Sequence, residues 1–229
     1  MTSWGNVLIS GGASGLGAAT VDEVLAQGGR PLVLDRAEPA ADVPYRLVDL
    51  ADTAATERAL VELVDEAGGG LAGVFTAAGV DAPGPLDVVS REDWERVVNV
   101  DLFGTVAVVR AALPYLARSG GTVVTCASTL GVKAVSDATA YCAAKFGVVG
   151  FTRALAAETA GRIGVTLLVP GGMHTAFFDA RDDKYKPPAD AKLNRPQDVA
   201  RTVLFALRQP AGCQVRELVV CPDEESSWP

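Results

Sequence analysis

Apolar and polar positions along the chain fall into two alternating kinds of segment. Short runs rich in Val and Leu recur at 6–10, 31–35, 46–49, 71–76, 122–127, 165–169 and 217–221, and longer stretches with helical spacing separate them. Runs that are apolar on consecutive positions predict strands covered on both faces. Strands alternating with helices through right-handed crossovers predict an α/β protein, a doubly wound parallel sheet of about seven strands with helices on both faces. Gly68, Gly69 and Gly70 sit just before a strand and read as a helix-to-strand turn.

Nothing along the sequence divides the chain, so a single domain over 1–229 is expected. One stretch, 175–195, is too polar and too interrupted by Pro187 and Pro188 to be core, and reads as a mobile surface segment. After it, Arg195-Pro196-Gln197-Asp198 opens a helix whose Val199, Val203, Leu204 and Leu207 pack at helical spacing. The stretch 94–116 carries more apolar residues than a one-sided helix needs. A second buried face there points to contact between subunits.

Composition narrows the function. Of the 229 residues, 49% are hydrophobic and 21% charged, which excludes disorder and collagen-like repeats. The formal charge of -8 argues against nucleic-acid or anionic-membrane surfaces and favours a small neutral or organic partner. Cys126, Cys142, Cys213 and Cys221 form no C-x-x-C pair, and His174 is the one histidine, so no metal site is expected. The opening residues Met1 to Asn6 lack the basic and apolar regions of a leader, and no apolar run of about 18 residues stands out. A cytoplasmic protein with reduced thiols is the expectation.

The first candidate chemistry follows the first strand, where Ser10-Gly11-Gly12-Ala13-Ser14-Gly15-Leu16-Gly17 opens a helix. Free N–H groups and the positive dipole end at such a turn cradle a pyrophosphate, although glycines also serve tight packing. Asp35 ends the second strand, 18 residues past Gly17. A carboxylate there accepts hydrogen bonds from an adenosine ribose and repels a 2′-phosphate, which favours NAD over NADP; the adjacent Arg36 is the counter-indication. Further on, Tyr141 and Lys145 lie four apart on one face of a helix expected to reach about Arg162. An ammonium beside a phenol stabilises the phenolate and suits it to general acid/base work; a plain surface pair is the alternative.

Taken together and in order, these segments resemble the classical short-chain dehydrogenase/reductase family over nearly the whole chain, with a Rossmann-like sheet. The glycine turn is similar to the family's T-G-x-x-x-G-x-G with Ser10 in place of Thr, and Gly11, Ser14, Gly15, Leu16 and Gly17 are its cofactor-binding positions. Val48-Asp49-Leu50 resembles the adenine-contacting segment, and Thr76-Ala77-Ala78-Gly79 resembles N-N-A-G, with Ala77, Ala78 and Gly79 beside the cofactor. Pro170, Gly171 and Thr175 look like the segment that holds the nicotinamide carboxamide. The resemblance assigns Asn99, Ser128, Tyr141 and Lys145 as the catalytic set, with Ser128 thirteen residues before Tyr141.

The resemblance implies an NAD-dependent enzyme interconverting a secondary alcohol and a ketone. Tyr141 exchanges the proton, and Lys145 holds the nicotinamide ribose and lowers the Tyr141 pKa. Ser128 donates to the substrate oxygen, and Asn99 anchors a water that relays the proton. It further implies a substrate lid at 175–195 and a homodimer or homotetramer formed through the 94–116 helix and the helix of Tyr141. Two other readings compete: an NADP-linked ketoreductase, and an NAD-binding redox sensor without turnover.

Overall fold

A computed structural model describes residues 4–225, 227 and 228; Met1 to Ser3, part of the stretch read for a leader, lie outside the described residues, as do Ser226 and Pro229. Seven strands, β1 (Asn6–Ser10), β2 (Arg30–Asp35), β3 (Tyr45–Leu47), β4 (Gly73–Thr76), β5 (Thr122–Cys126), β6 (Gly164–Pro170) and β7 (Glu217–Val220), form one parallel sheet in the order 3-2-1-4-5-6-7. The expected runs each produced a strand, within two residues at either end. Among the described residues six α-helices connect them: α1 (Gly15–Ala26), α2 (Thr53–Glu66), α3 (Arg91–Val98), α4 (Thr105–Ser119), α5 (Thr139–Glu158) and α6 (Pro196–Leu207).

The consecutive apolar positions are explained by burial on both faces. On one face, Val7, Ile9, Val33 and Phe75 pack against Val21 and Val24 of α1 and Val199 and Val203 of α6. On the other, Leu8, Leu32, Val74 and Val123 pack against Leu60 and Leu63 of α2 and Val108 and Leu116 of α4. At about 25 cal/mol per Å² of apolar surface removed from water, these two layers are the main stabilising force. Strand order reverses direction between β1 and β4, so the chain opens a crevice at their carboxyl ends.

Two helices differ from expectation. The helix of Tyr141 stops at Glu158 instead of Arg162. The 94–116 stretch is not one regular helix: α3 and α4 are joined by a π-helical turn, Asn99–Gly104. As one run, 91–119 is long and apolar enough to cross a membrane by length and composition, with half of its most apolar window buried. Here its α4 part is a layer against the sheet, with Ala107, Val108, Val109, Ala112 and Leu116 all buried, and α3 packs on α5. Phe103 of the π turn and Phe146 of α5 stay 50% and 44% exposed.

Candidate active site

The crevice at the switch point is a cleft of about 1050 Å³, lined by the glycine turn at one end and by Ser128, Tyr141 and Lys145 at the other. Its size is at the upper end for a small-ligand site, as a dinucleotide plus a small substrate needs.

The glycine turn is shaped by close approaches. Gly11 adopts φ +75°, and a Cβ there would lie 2.6 Å from the backbone of Ala78. A Cβ on Gly17 would lie 1.9 Å from the Gly11 carbonyl oxygen, so only glycine lets α1 start here. Ser14 is the N-cap residue of α1, and its hydroxyl makes no capping bond, leaving the helix's first N–H groups facing the cleft. The Asp35 carboxylate ends β2 and accepts from the N–H groups of Ala13 (2.9 Å) and Ala37 (3.0 Å), which fixes a negative charge at the cleft beside Arg36.

Asp49 also lines the cleft, and its two oxygens are engaged by the Ala51 N–H (3.0 Å) and Arg96 (3.1 Å). The Ala51 bond, helped by Arg96 and Arg36, holds its carboxyl below the usual range against the opposing effect of burial. Leu50 is buried at the same wall. After β4 the chain runs through Ala77, Ala78 and Gly79 along the cleft. Ser10 and Thr76 are register partners at the ends of β1 and β4, and their buried hydroxyls have no hydrogen-bond partner among the described residues.

Pro170 ends β6 and Gly171 follows, its N–H bonded to the Val220 carbonyl at 2.9 Å. Thr175 caps a short 3-10 turn and stands 3.4 Å from where a Gly15 Cβ would be, so the β6 loop meets the glycine turn across the cleft. The chain's last described stretch also folds onto this site: the Glu225 carboxylate accepts from the Gly172 N–H at 3.1 Å, and Ser227 hydrogen-bonds Thr129 at 2.6 Å.

The reactive end is built by β5, α5 and the π turn. Ser128 follows β5, its hydroxyl accepting from the Leu130 N–H (3.1 Å), and it lines the cleft with Tyr141. Lys145, one turn along α5 from Tyr141, places its Nζ 5.4 Å from the Tyr141 ring centroid. Lys145 is 3% exposed; its ammonium donates to the Cys126 carbonyl (3.2 Å) and lies 3.2 Å from Asp101 Oδ2. Burial disfavours the lysine's charge, but Asp101, with Tyr141 and Cys126 adding to it, outweighs burial and the ammonium is held charged. Burial pushes the Tyr141 phenol up to about 12, with Lys145 pulling down and Asp101 pushing up.

A flap, 175–195, covers this end. A bridge between Met173 and Asn194 closes its base. Phe177 packs on the Tyr141 ring at 5.7 Å, and the Arg181 guanidinium lies over Phe177 and Phe178 and pairs with Asp81 at 2.6 Å. Tyr185 donates to Asp137 at 3.0 Å. The sequence expects a mobile surface segment here; the structure shows one latched to the loops after β4 and β5. His174 is exposed and does not line the cleft.

The short chain dehydrogenase family model matches residues 5–186, which includes the glycine turn, Ser128, Tyr141 and Lys145. The chain belongs to the short-chain dehydrogenase/reductase family. It is 31% identical over 217 residues to a 2,5-dichloro-2,5-cyclohexadiene-1,4-diol dehydrogenase, LinX, of Sphingobium indicum, covering 86% of each chain. Among solved structures it resembles levodione reductase, with a TM-score of 0.85 and 26% identity over 96% of each chain. It also shares the fold of an alcohol dehydrogenase from Thermococcus sibiricus complexed with 5-hydroxy-NADP, with a TM-score of 0.84 and 20% identity over 94% of this chain and 96% of that one.

Of the short-chain dehydrogenase residues expected from the sequence, all but one line the cleft. The exception is Asn99. It starts the π turn and is absent from the cleft wall, whereas Asp101, two positions later, is fully buried against Lys145. Residues two apart on a helix point to opposite sides, so only one of them can face the lysine. Asp101 was missed by the sequence reading, although a carboxylate inside the run Val97-Val98-Asn99-Val100-Asp101-Leu102-Phe103 is itself a signal that a buried cation must lie opposite.

The Arg181–Asp81 pair carries a prediction. Its side chains are 15% and 5% exposed, and burial pushes the Asp81 carboxyl up while Arg181 pulls it down. Removing one partner of such a pair leaves an uncompensated buried charge. Arg181→Ala is expected to raise the rate of native-state proteolysis within 175–195 on the order of tenfold or more. An unchanged cleavage rate would show that the latch does not hold the flap.

Proposed function

We propose that the protein is an NAD(H)-dependent oxidoreductase that interconverts a secondary alcohol and a ketone, with Tyr141 as general acid/base. The observation that carries this is the convergence of Ser128, Tyr141 and Lys145 on one wall of the cleft whose other end is the glycine turn and Asp35. The residues present fit a dinucleotide: the positions where a Cβ would fill the turn are glycines, and the N–H groups of α1 face the cleft. Bound there, the nicotinamide cofactor supplies hydride chemistry.

The chain's own residues do the rest. Gly11 to Gly17 hold the pyrophosphate, Asp35 accepts from the adenosine ribose, and Asp49 and Leu50 flank the adenine. Ala77 to Gly79, Pro170, Gly171 and Thr175 hold the nicotinamide half, and the third N–H of Lys145 is left for its ribose. Ser128 donates to the substrate oxygen as charge develops there, and Tyr141 gives or takes the proton at that same oxygen. The flap excludes water and, with Phe177 and Phe178, sets the pocket for a small organic alcohol or ketone. A cytoplasmic homodimer or homotetramer, paired through the exposed faces that carry Phe103 and Phe146, completes the reading.

Arg36, which lines the cleft next to Asp35, favours the second reading, an NADP-linked ketoreductase. Asp35→Ala separates the two. A charge-assisted hydrogen bond is worth roughly 1.5–3 kcal/mol, so the variant is expected to lose about tenfold or more of its preference for NADH over NADPH, measured as paired dissociation constants. An unchanged ratio would mean that another group reads the ribose.

A further inference from the structure

The charged groups around Tyr141 cancel in pairs. Lys145, on α5, faces Asp101 of the π turn at 3.2 Å; Asp81, after β4, is taken by Arg181 of the flap at 2.6 Å. The remaining neighbours, the Cys126 thiol at the end of β5 and the Ser128 hydroxyl, are neutral, and burial pushes that thiol's pKa up. Asp101 is fully buried. Its Oδ1 accepts from the Val80 N–H at 2.8 Å, and among the described residues its Oδ2 has no partner other than the Lys145 ammonium. Gly79 lies directly over the pair, where a Cβ would be 3.2 Å from Oδ2 and 3.4 Å from Nζ, so no side chain separates it from the cleft.

A lysine can stabilise a neighbouring phenolate only to the extent that its charge is uncompensated. We infer that Asp101 is a positioning residue that fixes Lys145 and neutralises its charge, so that Tyr141 stays protonated in neutral solution and the site is set to reduce a carbonyl. The inference rests on the reading of Tyr141 as the acid/base. In that direction a bound reduced nicotinamide cofactor would supply the hydride for the carbonyl carbon, and Tyr141 would give its proton to the carbonyl oxygen. Water reprotonates the phenolate, and the two electrons gained by the substrate are those lost by the cofactor. Alcohol oxidation needs the phenolate and is confined to alkaline pH.

The raised Tyr141 pKa agrees with this arrangement, and the sign of the test follows from it. A negative charge near a phenol favours the neutral form; Asp101→Asn removes that charge with almost no change of shape and leaves Lys145 uncompensated. The alkaline rise of oxidative turnover and the alkaline fall of reductive turnover are both expected to move down by about one pH unit or more. The near-ultraviolet phenolate absorbance of the cofactor-free protein, with the Tyr141→Phe titration subtracted, is expected to move the same way. A purely structural role for Asp101 would change rates but not these midpoints, and unchanged midpoints overturn the inference. If Asp101→Asn does not fold, the unmodified protein decides: a Tyr141 phenolate signal already present near neutral pH overturns the inference, and its absence until strongly alkaline pH supports it. An active Tyr141→Phe enzyme would instead overturn the underlying reading of the tyrosine.

Discussion

Tyr141→Phe is expected to bind NADH about as tightly as the unaltered protein and to lose turnover by a factor on the order of 10² to 10⁴. The substitution removes one oxygen from a ring held by Phe177 at 5.7 Å and by the Lys145 cation at 5.4 Å, and neither contact needs the hydroxyl. On the proposed mechanism, what it removes is the group that exchanges a proton with the substrate oxygen. Separate measurement of cofactor affinity and kcat distinguishes loss of proton transfer from loss of the site. A variant that kept full turnover would take the general acid/base role away from Tyr141.

Gly17→Ala is expected to act at the opposite end of the cleft and on the opposite quantity. The added Cβ would lie 1.9 Å from the Gly11 carbonyl oxygen and 3.0 Å from the Gly12 Cα. Both obstacles are backbone, so no rotamer relieves them, and the turn has to open. Overpacking of this kind costs about 1–3 kcal/mol, and opening the turn also displaces the N–H groups that would hold a pyrophosphate on the proposed reading. Affinity for NADH is expected to fall about 100-fold, with a lowered melting temperature. Affinity within a factor of about two of the original would show that the dinucleotide does not lie against this turn.

The two variants probe parts of the molecule that differed in how far they could be read from sequence. Val7, Leu8 and Ile9, or Val123 and Val124, announce buried strands because adjacent positions are both apolar, and both do lie in opposite core layers. The glycine turn and the Tyr141–Lys145 spacing were legible for a similar reason: each is local, a few residues apart on one element. Asp101 was not read, because Asn99 and Asp101 sit two apart on a helix and which of them faces Lys145 depends on the phase of the π turn. The flap was legible as a polar, proline-interrupted segment, but not its latch. Arg181 meets Asp81 across 100 residues of sequence, and no periodicity encodes such a pairing. The terminal stretch that brings Glu225 onto Gly172 was hidden for the same reason.

The central claim is that one cleft binds NAD(H) and lets Tyr141 exchange a proton with an alcohol or ketone. Fluorescence titration of the purified protein with NADH and NADPH, followed by a panel of secondary alcohols and their ketones with and without Tyr141→Phe, tests it most directly. The account predicts tighter binding of NADH than of NADPH, and turnover of at least one pair that the Phe substitution abolishes. Tighter binding of NADPH would contradict the role given to Asp35, and turnover that survives the loss of the Tyr141 hydroxyl would contradict the mechanism.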